Sequence, residues 1–206
     1  MLTIWGRKNS IKVQKVLWCC GEIGLNFRRI DAGREFGIND TPEFLQLNPN
    51  GLVPTIEDDG FVLWESNVIV RYLATKHRAH VLYPPDLRSR FDVERWMDWH
   101  ATTLWPTLRP VFFGLIRTPP EQRDHAMLRK AQIGAEQAFG ILVRHHSDRP
   151  YVTGETFTIG DIPLGIAAFR WYALDIARPV LPSLDAWYHR LRERPAFQAN
   201  VAGPLS

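Results

Sequence analysis

The 206-residue sequence contains only two cysteines, Cys19 and Cys20, and they are neighbours. Adjacent residues on a helix point about 100° apart, so this pair suits neither an ordinary structural disulfide nor a metal chelate. There is no CxxC and no Cys/His set with zinc spacing, so neither a metal nor a dithiol centre is expected. Two small side chains packed in a helix, in a reducing cytoplasm, account for them. No apolar run approaches the roughly 18–20 residues that span a bilayer. The opening MLTIWGRKNS lacks the charged start and long apolar stretch of a secretory leader. A soluble cytoplasmic protein is expected. Runs of one charge are missing too: the formal charge is +3, and the basic residues sit among acids, as in Arg28, Arg29, Asp31, Arg34 and Glu35. Nucleic-acid or membrane-surface binding would call for a concentrated basic stripe, so neither partner is expected. The small excess suits an anionic small ligand. Internal repeats and low-complexity segments are also lacking.

What is present is ordinary globular material, 45% apolar and 23% charged, with eight Trp that call for large packed surfaces. The chain reads as two halves of different periodicity. Leu2 to Trp5 predicts a strand ending at Gly6. From Ser10 to Gly24 the apolar residues Val13, Val16, Leu17, Cys20 and Ile23 recur at helical spacing, and Phe27 to Asp31 returns as a strand. Strand, helix, strand within about 30 residues is a βαβ unit and implies a parallel pair. A Gly/Asn/Asp-rich stretch with one helical turn near 41–47 follows. Two strands, Val53 to Glu57 and Phe61 to Trp64, then flank Asp59-Gly60, a hairpin signal. A helix from Ser66 to His77 closes the half. Tyr83-Pro84-Pro85-Asp86 marks a linker. Beyond it, amphipathic stretches at about 87–113, 120–146, 159–177 and 183–193 predict helices only. Thr158-Ile159-Gly160-Asp161 reads as a capping box, with Thr158 accepting an early N–H and Asp161 reaching back. The expected fold class is an α/β N-terminal domain over 1–80 and an all-α domain over 87–206.

Four clusters carry chemistry. Asn50-Gly51-Leu52-Val53-Pro54 runs directly into a strand. A Pro there is either an ordinary trans edge residue or a cis bond that presents the backbone groups of Val53 to an extended peptide. Glu65-Ser66 opens a helix, where free N–H groups and a partial positive charge bind a carboxylate and Glu65 can receive an ammonium. Alternatively Ser66 is only an N-cap. Arg7-Lys8-Asn9-Ser10 follows the first strand, where ligands of open α/β sheets sit. Its cations, hydroxyl and helix dipole suit a thiolate, while Ser10 could equally be a cap. Last, Trp96, Trp99, Trp105, Phe112, Phe113, Trp171 and Tyr172 lie in the helical half, most of them as core and a few as an apolar wall facing the first domain.

These residues together resemble the cytosolic glutathione transferase superfamily, in a bacterial branch, along essentially the whole chain. The telling segments are NPNGLVP at 48–54, LWESNVIVRYLA at 63–74 and TFTIGDI at 156–162, with WGRKNSIKVQKVLW and DAGREFG beside them. The resemblance implies a thioredoxin-like first domain and a reaction in which the glutathione thiolate attacks an electrophilic carbon. It places Val53 on the cysteinyl backbone of glutathione, Pro54 in a cis bond, and Glu65 and Ser66 at the γ-glutamyl end. Asn50, Leu52 and Arg7 are expected around the tripeptide, and Arg34 is a donor for the glycyl carboxylate. Glutathione is the co-substrate, no metal or further cofactor is implied, and a homodimer is usual. The thiol-activating position departs from the usual Tyr, Ser or Cys pattern: Ser10 is assigned, with Asn9, Arg7 or a backbone amide as alternatives. Trp105, Phe112 and Phe113 are assigned to the electrophile pocket, with haloacid-type compounds as a substrate class. Two other readings stay open, a glutathione-dependent disulfide reductase and a binding protein without turnover.

Overall fold

The computed structural model describes residues 1–146 and 149–206. They divide into two compact units, residues 1–80 with 196–203, and residues 81–195 with 204–206. The first unit carries a four-stranded sheet in the order β2-β1-β3-β4, with β1 Leu2–Trp5, β2 Arg28–Ile30, β3 Thr55–Asp58 and β4 Phe61–Trp64. β1 runs parallel to β2 and antiparallel to β3, which pairs antiparallel with β4. The hairpin turn has positive φ at both central residues, Asp59 (51°) and Gly60 (87°). That is the conformation whose twist matches the flanking strands. β3 begins two residues later than the apolar pattern predicts, because Pro54 has no N–H to give to a ladder.

Helix α1, Ile11–Glu22, is buried on all sides from Val13 to Cys20, although its apolar spacing predicts only one buried stripe. The reason is a second cover. Helix α9, Pro195–Asn200, packs on it: Phe197 meets Trp18 edge-on at 5.0 Å, and Gln14 Nε2 donates to the Val201 carbonyl at 3.4 Å. Residues 196–203 therefore group with the first unit, whereas the sequence reading gave them to the helical domain. Helix α2, Pro42–Leu47, starts where Thr41 accepts the Phe44 N–H at 3.3 Å. Helix α3, Ser66–Lys76, packs on α1, and its far end is tied to β3: Tyr72 and Lys76 both donate to Asp58 Oδ2, at 2.9 and 2.6 Å.

The second unit is helical: α4 Leu87–Trp99, α5 Trp105–Ile116, α6 His125–His146, α7 Asp161–Ala173 and α8 Pro182–Arg192. The continuous helix expected over 87–113 is interrupted by a wide π turn at His100–Leu104. Pro106 and Pro110 each withhold an N–H from the ladder, and a proline ring crowds the carbonyl four residues back. The helix expected over 159–177 ends at Ala173. Asp161 is the polar centre of this unit. Its Oδ2 accepts the Thr158 N–H at 3.0 Å and hydroxyl at 3.3 Å, while Oδ1 accepts Val152 N–H and Trp187 Nε1, both at 2.9 Å. The reach-back half of the predicted box is present. The other half is not: the cap position is Gly160, and the Thr158 hydroxyl donates to the carboxylate instead of capping an N–H. No helix among the described residues is long and apolar enough to cross a membrane.

Candidate functional site

The loop entering β3 is shaped by one buried side chain. Asn48 Nδ2 donates to the Leu52 carbonyl at 2.8 Å and to Thr55 Oγ1 at 3.0 Å, while its Oδ1 accepts the Asn50 N–H at 3.1 Å. Gly51, at φ 60°, is needed there, since a Cβ would lie 2.9 Å from the Asn39 carbonyl oxygen. The Val53–Pro54 bond is cis. Among the described residues the backbone N–H and C=O of Val53 make no hydrogen bond. At the other side stands the start of α3. Ser66 is its first helical residue and not the cap; the cap position is Glu65, at φ 72°. A left-handed non-glycine residue costs on the order of 1–3 kcal/mol, and such strain concentrates at functional sites. It leaves the opening N–H groups of α3 without a side-chain cap.

These two segments form one pocket, lined by Lys12, Asn48, Asn50, Leu52, Val53, Pro54, Trp64, Glu65 and Ser66. Behind it runs the β1–α1 turn. Gly6 N–H donates to the Ile30 carbonyl at 2.8 Å and Arg7 N–H to Ala32 at 3.1 Å. Gly6 allows the turn to press on the β3 loop: a Cβ there would lie 2.4 Å from Val13 Cγ2 and 3.2 Å from Val53 Cβ. The half-buried Arg7 guanidinium passes Gly33, with Nη1 3.4 Å from where a Cβ would be. Burial lowers its pKa and the Arg34 charge lowers it further, with Glu35 opposing. Ser10 occupies the cap position of α1, yet its hydroxyl makes no cap bond; only its backbone is used, donating to Arg7 and accepting from Gln14.

A domain model described as glutathione S-transferase, N-terminal domain, matches residues 1–75. Along its full length the chain is 40% identical to the glutathione S-transferase GstB of Escherichia coli strain K12, with 100% of each protein covered. This chain belongs to the glutathione S-transferase family of enzymes. Glutathione S-transferase 3 of Zea mays is 29% identical, over 98% of this transferase and 93% of the maize protein. Among solved structures, the theta-class glutathione S-transferase of Xanthomonas axonopodis pv. citri with glutathione bound superposes with a TM-score of 0.96 at 46% identity. That match covers 100% of this chain and 99% of the other.

Of the residues picked from the transferase's sequence, Asn50, Leu52, Val53, Pro54, Glu65 and Ser66 line one pocket. Arg7, Asn9, Ser10 and Arg34 are not in its lining. Arg34 is exposed on a one-turn 3₁₀ helix, Arg34–Phe36. Sequence reasoning assigned no role to Lys12, Asn48 or Trp64. In the helical unit Phe112 is only 2% exposed and packs against Trp105, Phe113 and the Arg170 guanidinium. It is a core residue, while Trp105 and Phe113 keep partial exposure. Both thiols are sealed. Burial pushes Cys20 up to about 12 and raises Cys19 well above the usual range, so neither is a nucleophile at neutral pH.

Proposed function

We propose that this transferase binds glutathione in the pocket of its first unit and conjugates the thiolate to small electrophiles. The carrying observation is the convergence of Val53, Glu65 and Ser66 on one pocket, with the backbone of Val53 unclaimed by the fold. Val53 then pairs with the cysteinyl N–H and C=O in the manner of strand addition. Ser66 and the opening N–H groups of α3 hold the γ-glutamyl carboxylate, and Glu65 its ammonium. Arg34 takes the glycyl carboxylate, with Arg7 beside it. Ser10, whose hydroxyl the helix does not use, donates to the sulfur; Asn9 is the alternative donor. Lowering the thiol pKa by about two units needs roughly 2.7 kcal/mol of preference for the thiolate. One or two charge-assisted hydrogen bonds plus the α1 dipole supply that.

In the reaction the thiol proton passes to solvent and the sulfur lone pair attacks carbon. A C–S bond forms, and with a haloacid the C–halogen bond breaks and halide leaves. The electrophile contacts are assigned to residues 87–206, where Trp105 and Phe113 offer partly exposed apolar surface. A homodimer in the cytoplasm is the expected form. A disulfide reductase built on this chain would have to use two glutathione molecules, because Cys19 and Cys20 are sealed. Calorimetric titration tests the assignment: Glu65→Gln and Ser66→Ala should each weaken glutathione binding about tenfold. Unchanged affinity in both variants, with wild-type binding intact, would move the γ-glutamyl end elsewhere.

A further inference from the structure

Lys12, in the first turn of α1, lines the same pocket as Glu65 and Ser66. It is half-buried, and among the described residues it makes no hydrogen bond or ion pair. The other lysine of this helix behaves differently: Lys15 is buried and gives its ammonium to Asn67 Oδ1 at 3.0 Å. A lysine on an open helix face needs no partner, but one that lines a ligand pocket and is claimed by no residue of the fold leaves its ammonium available to an anion bound there.

Glutathione brings two carboxylates and one ammonium. The γ-glutamyl ammonium and α-carboxylate share one carbon, so the groups that read them must line one pocket. Glu65 supplies a full charge for the ammonium, whereas Ser66 and the α3 N–H groups supply donors without a full charge. The glycyl carboxylate lies at the other end of an extended tripeptide, on the order of 10 Å away. Arg7 and Arg34 stand outside the pocket lining, on the Gly33 side. We propose that Lys12 is the cation that reads the γ-glutamyl α-carboxylate, which makes it a specificity-determining residue for glutathione. This rests on the placement of the γ-glutamyl end at Glu65 and Ser66.

Wild-type protein, Lys12→Gln and Lys12→Arg are titrated by calorimetry with three probes, after equal melting temperatures establish that each variant folds. The probes are glutathione, its glycyl monoethyl ester, and γ-aminobutyryl-cysteinyl-glycine, which keeps the amine but lacks the α-carboxylate. Lys12→Gln should weaken glutathione and the ester by the same factor, about tenfold. It should leave the third probe within about twofold, and Lys12→Arg should restore most of the loss. A loss that vanishes with the ester would assign Lys12 to the glycyl carboxylate and overturn the proposal. A loss that persists with the third probe would overturn it as well, since Lys12 would then act through Glu65. Wild-type binding with no dependence on Lys12 defeats this inference alone, whereas failure of wild-type protein to bind glutathione defeats the site placement beneath it.

Discussion

Replacing Asp161 with Asn gives a stability change whose pH dependence can be worked out in advance. The side chain is fully buried and accepts four hydrogen bonds, from Val152, Trp187 and twice from Thr158. Burial pushes its carboxyl up to about 6 against the pull of those donors. In the unfolded chain an aspartate titrates near 3.9, so the folded protein holds the proton more tightly by about two units, or about 3 kcal/mol. The folded pKa lies above the unfolded one. That stabilisation is therefore fully present below about pH 4 and is lost as pH rises through about 6. Asn cannot titrate, and its amide turns an N–H₂ toward one donor pair, which costs about 2–4 kcal/mol in lost and unsatisfied bonds. The wild-type advantage over Asp161→Asn should be largest near pH 4 and shrink by about 3 kcal/mol toward pH 7. Urea unfolding of both proteins, followed by far-ultraviolet circular dichroism at several pH values, measures it. An advantage that grows with pH would show that the four donors outweigh burial and would refute the reasoning.

Two further outcomes are expected. Phe197→Ala should cost about 3–5 kcal/mol, because the ring is fully buried edge-on against Trp18; faster hydrogen exchange in α1 would report it, and unchanged exchange would mean that α9 is not part of the first unit. Native protein should resist iodoacetamide, and the double variant Cys19→Ala, Cys20→Ala should keep transferase activity within about twofold, since both thiols are sealed. A carbamidomethyl adduct found by mass spectrometry before unfolding would contradict this.

The parts of the fold visible in the sequence are those set by local chemistry. The strand Leu2–Trp5 stops at Gly6 as its sequence predicts, the β3–β4 turn follows from Asp59-Gly60, and α2 falls on the helical turn expected near 41–47. What escaped depends on distant partners. Helix α9 is six residues long, too short to be stable alone, and exists because Phe197 finds Trp18. The shift of Ser66 from cap to first helical residue depends on the left-handed backbone of Glu65, which no propensity predicts. Asn48 was part of a quoted motif, but its four contacts around the Val53 loop are tertiary. Lys12 carries no local signal that separates it from Lys15 on the same helix, and only the tertiary pocket singles it out. Phe112 resembled its neighbours Trp105 and Phe113 in sequence, and only burial separates it from them.

In the proposed mechanism this pocket binds glutathione as a thiolate. An ultraviolet pH titration of bound glutathione, with protein in excess, tests it most directly. The expected thiol pKa lies about two units below the free value near 8.5 and moves back up in Ser10→Ala. Saturable binding with an unshifted thiol, or no binding, would contradict the proposed thiolate mechanism and leave a family member that does not activate glutathione in this pocket.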